Sequence, residues 1–274
     1  MNFSQNFIKS PRLVSQLVNS SNLNSGETVV EIGPGRGIIT QELLDSGLKV
    51  LAIEKDRNLI SELKQKFSSY SNFTLINDDF LSWSLPKTPF KIFSNIPFSI
   101  TALIVNKILK SPNKPSEMYL ILQQEAAQKF SLSNRFNNQD SILVAPFYDL
   151  EILGDIDRTE FMPKPQVNIV FAKFTLLPKM LIDVSQYSQF RDFIIFGFNQ
   201  WKSNIFEIYK KIFSYDQFKK INRQLKVNSL KPTELSFEQW LGLFLIYQKY
   251  VSDIKKRLVW SSEKKYLSNL KSFN

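Results

Sequence analysis

Two periodicities alternate along the first half of the chain. Short, largely apolar runs at 28–32, 50–53, 73–76, 91–93 and 118–122 have the length and β-branched content of buried strands. Between them, Leu59, Ile60, Leu63 and Phe67 mark one face of a helix over 57–67. Helices are also expected at 12–22, where Leu13, Leu17 and Val18 share a face, at 38–45 and at 101–110. This β-α-β-α rhythm predicts a parallel sheet with helices on both faces. After Asn138 the rhythm breaks. Residues 150–153 and 167–174 read as strands around the turn Met162-Pro163-Lys164-Pro165, a pair that would add an antiparallel edge.

Leu177-Pro178-Lys179 marks a boundary. Beyond it the period is helical, over roughly 186–200, 202–213, 215–225 and 236–251, with Ser236 and Gln239 spaced as a capping box at the last start. The pattern predicts an α/β domain over 1–178 and a smaller all-helical domain over 179–274. The basic end of the chain, from Lys255-Lys256-Arg257 to Lys271, reads as a helix or a partly disordered arm.

Composition narrows the chemistry. The chain has no Cys and no His among its 274 residues, which excludes disulfides, thiolate nucleophiles, imidazole bases and His- or Cys-ligated metals. A reaction here must use carboxylates, amides, hydroxyls, Lys, Arg, aromatic rings or backbone, or a cofactor that carries the reactive group. The net charge of +10 is unevenly spread: 18 basic and 17 acidic residues lie in 1–178, against 17 and 8 in 179–274. A near-neutral body with a basic appendage points to a polyanionic partner, nucleic acid before anionic membrane. The first residues, Met1 to Asn6, carry no apolar signal-peptide core, and the strongest apolar stretch, 240–247, is far short of the roughly 20 residues that span a bilayer. A cytoplasmic location without a membrane partner is the expectation.

Gly33-x-Gly35-x-Gly37 follows the first buried strand and opens a helix. Glycines there permit positive φ and a close backbone approach, and the helix start offers unpaired N–H groups. Glu54 ends the second strand, 17 residues past Gly37, where nucleotide-binding α/β folds hold ribose hydroxyls. Asp79 follows the third strand and can accept from an adenine amine. The Gly spacing is not that of a dinucleotide fingerprint or a P-loop, so S-adenosylmethionine is favoured over NAD.

Ser94-Asn95-Ile96-Pro97-Phe98 follows the fourth strand. In isolation it is an Asn-x-Pro turn. Beside a methyl-donor site it acquires a use at each position. The Asn95 side-chain carbonyl and the Pro97 main-chain carbonyl can accept the two protons of an exocyclic amine, and Phe98 offers a face for a base. Two such acceptors localise the nitrogen lone pair and stabilise the charge that develops on transfer. No general base is needed, in keeping with a chain without His.

Six ordered elements over residues 4–174 resemble the rRNA adenine N6-methyltransferase family: Ser4-Gln5-Asn6-Phe7-Ile8, Glu31-Ile32-Gly33-Pro34-Gly35-Arg36-Gly37, Ile53-Glu54-Lys55-Asp56, Asp78-Asp79-Phe80, Asn95-Ile96-Pro97-Phe98 and Phe161-Met162-Pro163-Lys164-Pro165-Gln166-Val167. The Asn-Ile-Pro-Phe form, Lys164 within the Pro-rich turn and Leu235-Ser236-Phe237-Glu238-Gln239-Trp240 resemble the erythromycin-resistance (Erm) branch more than the KsgA-type small-subunit branch.

The resemblance implies a Rossmann-like class I methyltransferase sheet, mostly parallel with an antiparallel edge, and a basic helical RNA-binding domain. It implies S-adenosylmethionine as cofactor, S-adenosylhomocysteine as product, and no metal. Asn6 and Ile8 would contact the cofactor from the N-terminal arm, Gly33, Gly35 and Gly37 its methionine part, Glu54 its ribose and Asp79 its adenine amine, with Lys55 and Phe80 flanking that ring. Asn95 would lie between cofactor and target, Phe98 would stack on the target adenine, and Phe161 would cover its other face. Asn95, Pro97 and Phe98 form the catalytic set. Family members often have an aliphatic residue where Lys55 stands. The implied substrate is an adenine of 23S large-subunit rRNA, methylated once or twice by a monomer before ribosome assembly is complete, with macrolide-lincosamide-streptogramin B resistance as the phenotype. The alternatives are KsgA-type small-subunit dimethylation and a non-catalytic RNA-binding protein on the same fold.

Overall fold

The computed structural model describes residues 6–133 and 135–272, with side chains through Ser268. Ser4 and Gln5 of the N-terminal motif, and the last two residues of the chain, lie outside the described residues.

The chain opens with a two-residue strand, β1 (Phe7–Ile8), and a helix, α1 (Pro11–Asn19). Ser10 caps α1 by accepting from the Leu13 N–H, and Pro11 occupies the first turn, where its missing donor costs nothing. The predicted rhythm follows: β2 (Thr28–Ile32), α2 (Ile38–Asp45), β3 (Lys49–Glu54), α3 (Arg57–Lys66), β4 (Phe73–Asn77), β5 (Lys91–Asn95), α4 (Thr101–Lys110) and β6 (Glu117–Gln123). Two short helices, α5 (Gln124–Phe130) and α6 (Gln139–Val144), precede β7 (Tyr148–Ile156), β8 (Phe161–Met162) and β9 (Ile169–Leu176).

The main sheet has seven strands in the order β4-β3-β2-β5-β6-β9-β7. The first five are parallel, and β9 runs antiparallel to both its neighbours. The expected α/β fold is therefore present, and the antiparallel pair has a definite order. β9 lies inside, with Ile169, Val170, Phe171, Ala172 and Phe174 all buried. β7, mostly exposed and bulged between Ile152 and Gly154, forms the edge. The chain runs outward from β2 to β4 and then returns to β5 on the other side of β2. The carboxyl ends of β2 and β5 thus flank the switch point where ligands bind in open α/β sheets.

A second, two-stranded sheet pairs β1 with β8, Phe7 opposite Met162 and Ile8 opposite Phe161. Strands this short carry no readable period, and neither was expected from the sequence.

At the amino edge of the main sheet lies a buried ion cluster. The Lys91 ammonium, 9% exposed, stands 2.9 Å from Glu27 and 3.1 Å from Glu117, and donates to the Asn22 carbonyl. Lys173 bonds the other Glu117 oxygen at 2.8 Å.

The chain divides into two compact units, Met1–Gln128 with Tyr148–Pro178, and Lys129–Phe147 with Lys179–Asn274. A single cut after Pro178 was expected, but residues 129–147 group with the helices. Hydrogen bonds account for this: Asn137 donates from its main chain to Thr233 and from its side chain to Leu235, and Tyr187 donates its hydroxyl to Leu143.

The helical unit continues with α7 (Tyr187–Phe198), α8 (Ile205–Tyr209), α9 (Tyr215–Leu225), α10 (Phe237–Tyr250), α11 (Asp253–Lys256) and α12 (Ser262–Ser272). The helix expected over 202–213 is only five residues long, because Ile212 and Phe213 turn back on Tyr209 before Ser214 caps α9. Ser236 and Gln239 form the predicted capping box. The core is a cluster of rings: Phe193 lies 4.7 Å from Tyr209 and 4.8 Å from Tyr247, with Phe190, Phe244 and Trp240 around them. Gly197 admits this packing, since a Cβ there would stand 2.5 Å from the Trp240 ring and 2.6 Å from the Tyr209 hydroxyl. The basic end is docked: Asp192 accepts from the N–H groups of Ser261 and Glu263, and Arg191 pairs with Glu263 at 2.5 Å.

Candidate active site at the carboxyl edge of the sheet

The glycine loop leaves β2 with Gly33, Gly35 and Gly37 at φ of 65°, 59° and 75°. These are left-handed values that other residues rarely adopt. Two of the glycines are also sterically required. A Cβ on Gly35 would stand 2.8 Å from the Phe7 ring, and one on Gly37 would stand 2.6 Å from the Phe67 ring. Above Gly33 there is open space. The loop is braced from the neighbouring strand, where Glu54, 2% exposed, accepts from the Gly35 N–H at 3.3 Å and from the Asp56 N–H at 2.8 Å.

Glu31, in β2 at the head of the glycine motif, is buried within the unit and accepts from the Thr40 hydroxyl at 2.6 Å. Burial pushes its carboxyl up to about 8. Thr40 opposes that shift and the negative charge of Glu54 adds to it. The sequence pattern assigned Glu31 no role. The signal was there: an acid inside a strand of otherwise apolar residues.

Beyond β4, Asp79 accepts from the Lys55 ammonium at 2.8 Å and from the Leu81 N–H at 2.9 Å, and these partners hold its carboxyl below the usual range. Lys55 was expected to flank the cofactor's adenine ring. Here its charge sits on Asp79, with the side chain 65% exposed. Phe80 is buried, and the Lys107 ammonium lies over its ring and donates to its carbonyl. Nothing in the spacing of residues singles out Lys107.

At the end of β5 the Asn95 side-chain NH₂ donates to the Asn6 carbonyl at 2.8 Å. That bond fixes the amide's orientation. Its nitrogen is turned to the N-terminal arm, and Oδ1 takes no hydrogen bond among the described residues. The Pro97 carbonyl, expected to accept from a target amine, is already engaged: it takes the Ile100 N–H at 3.1 Å and the Thr101 hydroxyl at 3.4 Å in the turn that follows. The Ile96 carbonyl, one residue earlier, accepts no hydrogen bond among the described residues. Asn95 Oδ1 and the Ile96 carbonyl are thus the two oxygens of this turn left without a hydrogen bond among the described residues. Pro97 shapes the turn.

Asn6, Phe7, Gly33, Asn95, Ile96, Pro97 and Phe98 line one cleft of about 30 Å³. That is room for a water molecule or two. Two expected contributors lie elsewhere. Phe161, 2% exposed, is in the hydrophobic core opposite Ile8, where it cannot cover a base without rearrangement, and Ile8 is itself buried. The structure thus brings together Asn6, the glycines, Glu54 and Asn95 through Phe98, and sets Phe161, Ile8 and Phe80 into the packing behind them.

The family model described as ribosomal RNA adenine dimethylase matches residues 1–249. The chain belongs to this family. It is accordingly an S-adenosylmethionine-dependent rRNA adenine N6-methyltransferase, and its sheet is that of the class I methyltransferases. An "rRNA adenine N-6-methyltransferase" of Limosilactobacillus reuteri is 32% identical, over 90% of this chain and 96% of its own length. A "Ribosomal RNA small subunit methyltransferase A" of Mycoplasmopsis pulmonis is 29% identical, over 89% and 96%. Among solved structures, the 23S rRNA methyltransferase ErmE superposes with a TM-score of 0.74 at 24% identity, over 89% of this chain and all of that one. Among the described residues, no helix of this dimethylase-family chain is long and apolar enough to cross a membrane.

The family implies S-adenosylmethionine, and the residues of the cleft fit it. The glycine loop leaves open space at Gly33, and each Glu54 carboxylate oxygen accepts one main-chain N–H, which leaves capacity for a ribose diol. Asp79 stands two residues beyond β4, at the same carboxyl edge of the sheet.

Proposed function

We propose that the protein methylates N6 of one adenine in 23S large-subunit rRNA, once or twice, and so confers macrolide-lincosamide-streptogramin B resistance. The observation that carries the chemistry is the Asn95 amide, held by Asn6 with Oδ1 directed away from the arm. Bound S-adenosylmethionine supplies a methyl group already activated on a sulfonium. The protein's task is then to hold the target amine. Asn95 Oδ1 and the Ile96 carbonyl accept its two protons, which draws the nitrogen toward tetrahedral geometry and stabilises its developing charge. Phe98 stacks on the base. The proton leaves to water, and no side chain need act as base. Gly33, Gly35, Gly37, Glu54 and Asp79 hold the cofactor, with Lys55 orienting Asp79.

The helical unit holds RNA. The structural division gives it 19 basic and 9 acidic residues, against 16 and 16 in the sheet unit. Lys219, Lys220 and Arg223 share an exposed face of α9, and Trp201 is fully exposed beside Lys202, a ring available for base stacking. The Erm assignment rests on the Asn-Ile-Pro-Phe form and Lys164, with the 32% identical relative named as an rRNA adenine N-6-methyltransferase in support.

Incubation with labelled cofactor and protein-free 23S rRNA should label one adenine, and expression in a sensitive host should raise macrolide tolerance. Label confined to small-subunit rRNA would reassign the protein to the KsgA-type reaction. Absence of label and of cofactor binding would leave a non-catalytic RNA-binding protein.

A further inference from the structure

Phe7 lines the reaction cleft and also a second, larger cavity of about 540 Å³ in the same unit. That volume lies within the roughly 300–1,000 Å³ of small-ligand sites. Its floor is apolar, made by Phe7, Ile8, Ile38 and Met162. Met162 is 64% exposed and pairs with Phe7 across the two-stranded sheet. Three cations stand around the floor. The Arg36 guanidinium lies 5.9 Å from the Phe7 ring centre. The Lys66 ammonium is fixed by the carbonyls of Arg36 and Gly37, at 3.1 and 3.5 Å. Lys9 is exposed at the start of the loop after β1. Glu42 is the single acid of the lining.

We propose that this groove is a subsite for a nucleotide adjacent to the target adenine on the same RNA strand. An apolar floor with a polarisable thioether suits a base, and cations around it suit the phosphate. The net positive rim selects a polyanion over an apolar peptide. Continuity with the cleft selects a neighbouring nucleotide of the substrate over an unrelated ligand, because the Phe7 ring walls both cavities and its strand is pinned to Met162 by the β1–β8 pairing. The inference rests on the RNA-methylation reading above, and it adds a site outside the cofactor and target positions. It also gives the arm a second use: Asn6 positions Asn95, while the next residue separates the target from its neighbour.

The test uses the full chain and the rRNA fragment that wild-type protein labels. A series of fragments carries an abasic residue at each position flanking the target. Removal of one flanking base should weaken RNA binding about tenfold, in line with the loss of one stacked base. Met162→Ala should lose a similar factor on intact RNA and nothing further on that abasic fragment. Lys9→Glu, at an exposed side chain that cannot unfold the protein, should weaken RNA binding in its own right. Calorimetry without RNA should give both variants wild-type cofactor affinity. A flat abasic series with normal labelling overturns the subsite and leaves the function intact. The same holds if Met162→Ala and abasic losses multiply at every position, if cofactor affinity falls with either variant, or if free adenosine monophosphate fills the groove as tightly as RNA does. No label on any rRNA fragment overturns the function instead.

Discussion

The two units handle charge in opposite ways. The sheet unit has equal numbers of acids and bases and draws several of them inside: Glu31 and Glu54 at its carboxyl edge, Lys91 and Glu117 at its amino edge. The helical unit carries all of the excess +10 and turns most of it outward, around a core of stacked and edge-on rings. Buried charge fixes geometry because an unpaired partner is so unfavourable. Exposed charge is free to meet a polyanion, and is screened by salt when it does. The contrast suggests a division of labour in which positioning is internal to one unit and capture is displayed by the other.

The most severe break in that comparison is at the amino edge of the sheet. Lys91→Ala takes the cation from Glu27 and leaves Glu117 with Lys173 alone, and unfolding by urea should show a loss of about 3 kcal/mol, the low end for a broken buried pair. Asn95→Ala should come next in size, lowering kcat/KM by about 10²–10³-fold, the scale of a missing charge-stabilising group, with the melting temperature little changed. Retained turnover in that variant would remove Asn95 from the mechanism. In the helical unit the sensitive point is steric. Gly197→Ala drives a methyl group into Trp240 and Tyr209, and should cost about 1–3 kcal/mol of stability while leaving cofactor affinity as it was.

Smaller, and more informative about function, is the response of the α9 face. Changing Lys219, Lys220 and Arg223 together to Gln should weaken RNA binding about tenfold at moderate salt. The slope of log K against log salt should fall by about 0.7–0.9 for each phosphate that is no longer neutralised. Cofactor affinity should not move. An unchanged salt slope would take this face out of the RNA-binding surface.

What the sequence could show follows from the range of the interactions involved. The strands of the parallel sheet, the glycine loop and the Asn95 turn are set by local apolar runs and by backbone constraints, and these were legible. Three features were not. The burial of Phe161 depends on Ile8 in a strand of two residues. The engagement of the Pro97 carbonyl depends on a turn whose Thr101 hydroxyl closes back on it. The docking of α12 depends on Arg191 and Glu263, 72 residues apart. Each is a tertiary partnership with no trace in spacing. The family resemblance supplied the site residues in outline, but not which atoms of them are already engaged.

The smallest expected effect tests whether the two edges of the sheet respond to pH with opposite signs. At the amino edge, burial acts to raise the Glu117 carboxyl, but its bonds to Lys173 and Lys91 outweigh burial and hold it below the usual range. A lowered acid contributes stability above its unfolded-state value, and that contribution is lost as pH falls through the folded value. At the carboxyl edge, Glu31 is raised to about 8 by burial. The folded state then holds a proton that the unfolded state has released, so stability declines as pH rises from the ordinary carboxylate range toward 8. Between pH 7 and 8 the decline should be about 1 kcal/mol. Glu31→Gln keeps an acceptor for the Thr40 hydroxyl and removes the titration. The difference between wild type and this variant in urea unfolding, followed from pH 6 to 9, should therefore widen in the variant's favour as pH rises. A constant difference would mean that Glu31 is ionised throughout. In that case the glycine loop is built around a buried charge, as the amino edge is, and the two edges differ only in which residues supply the counter-charge.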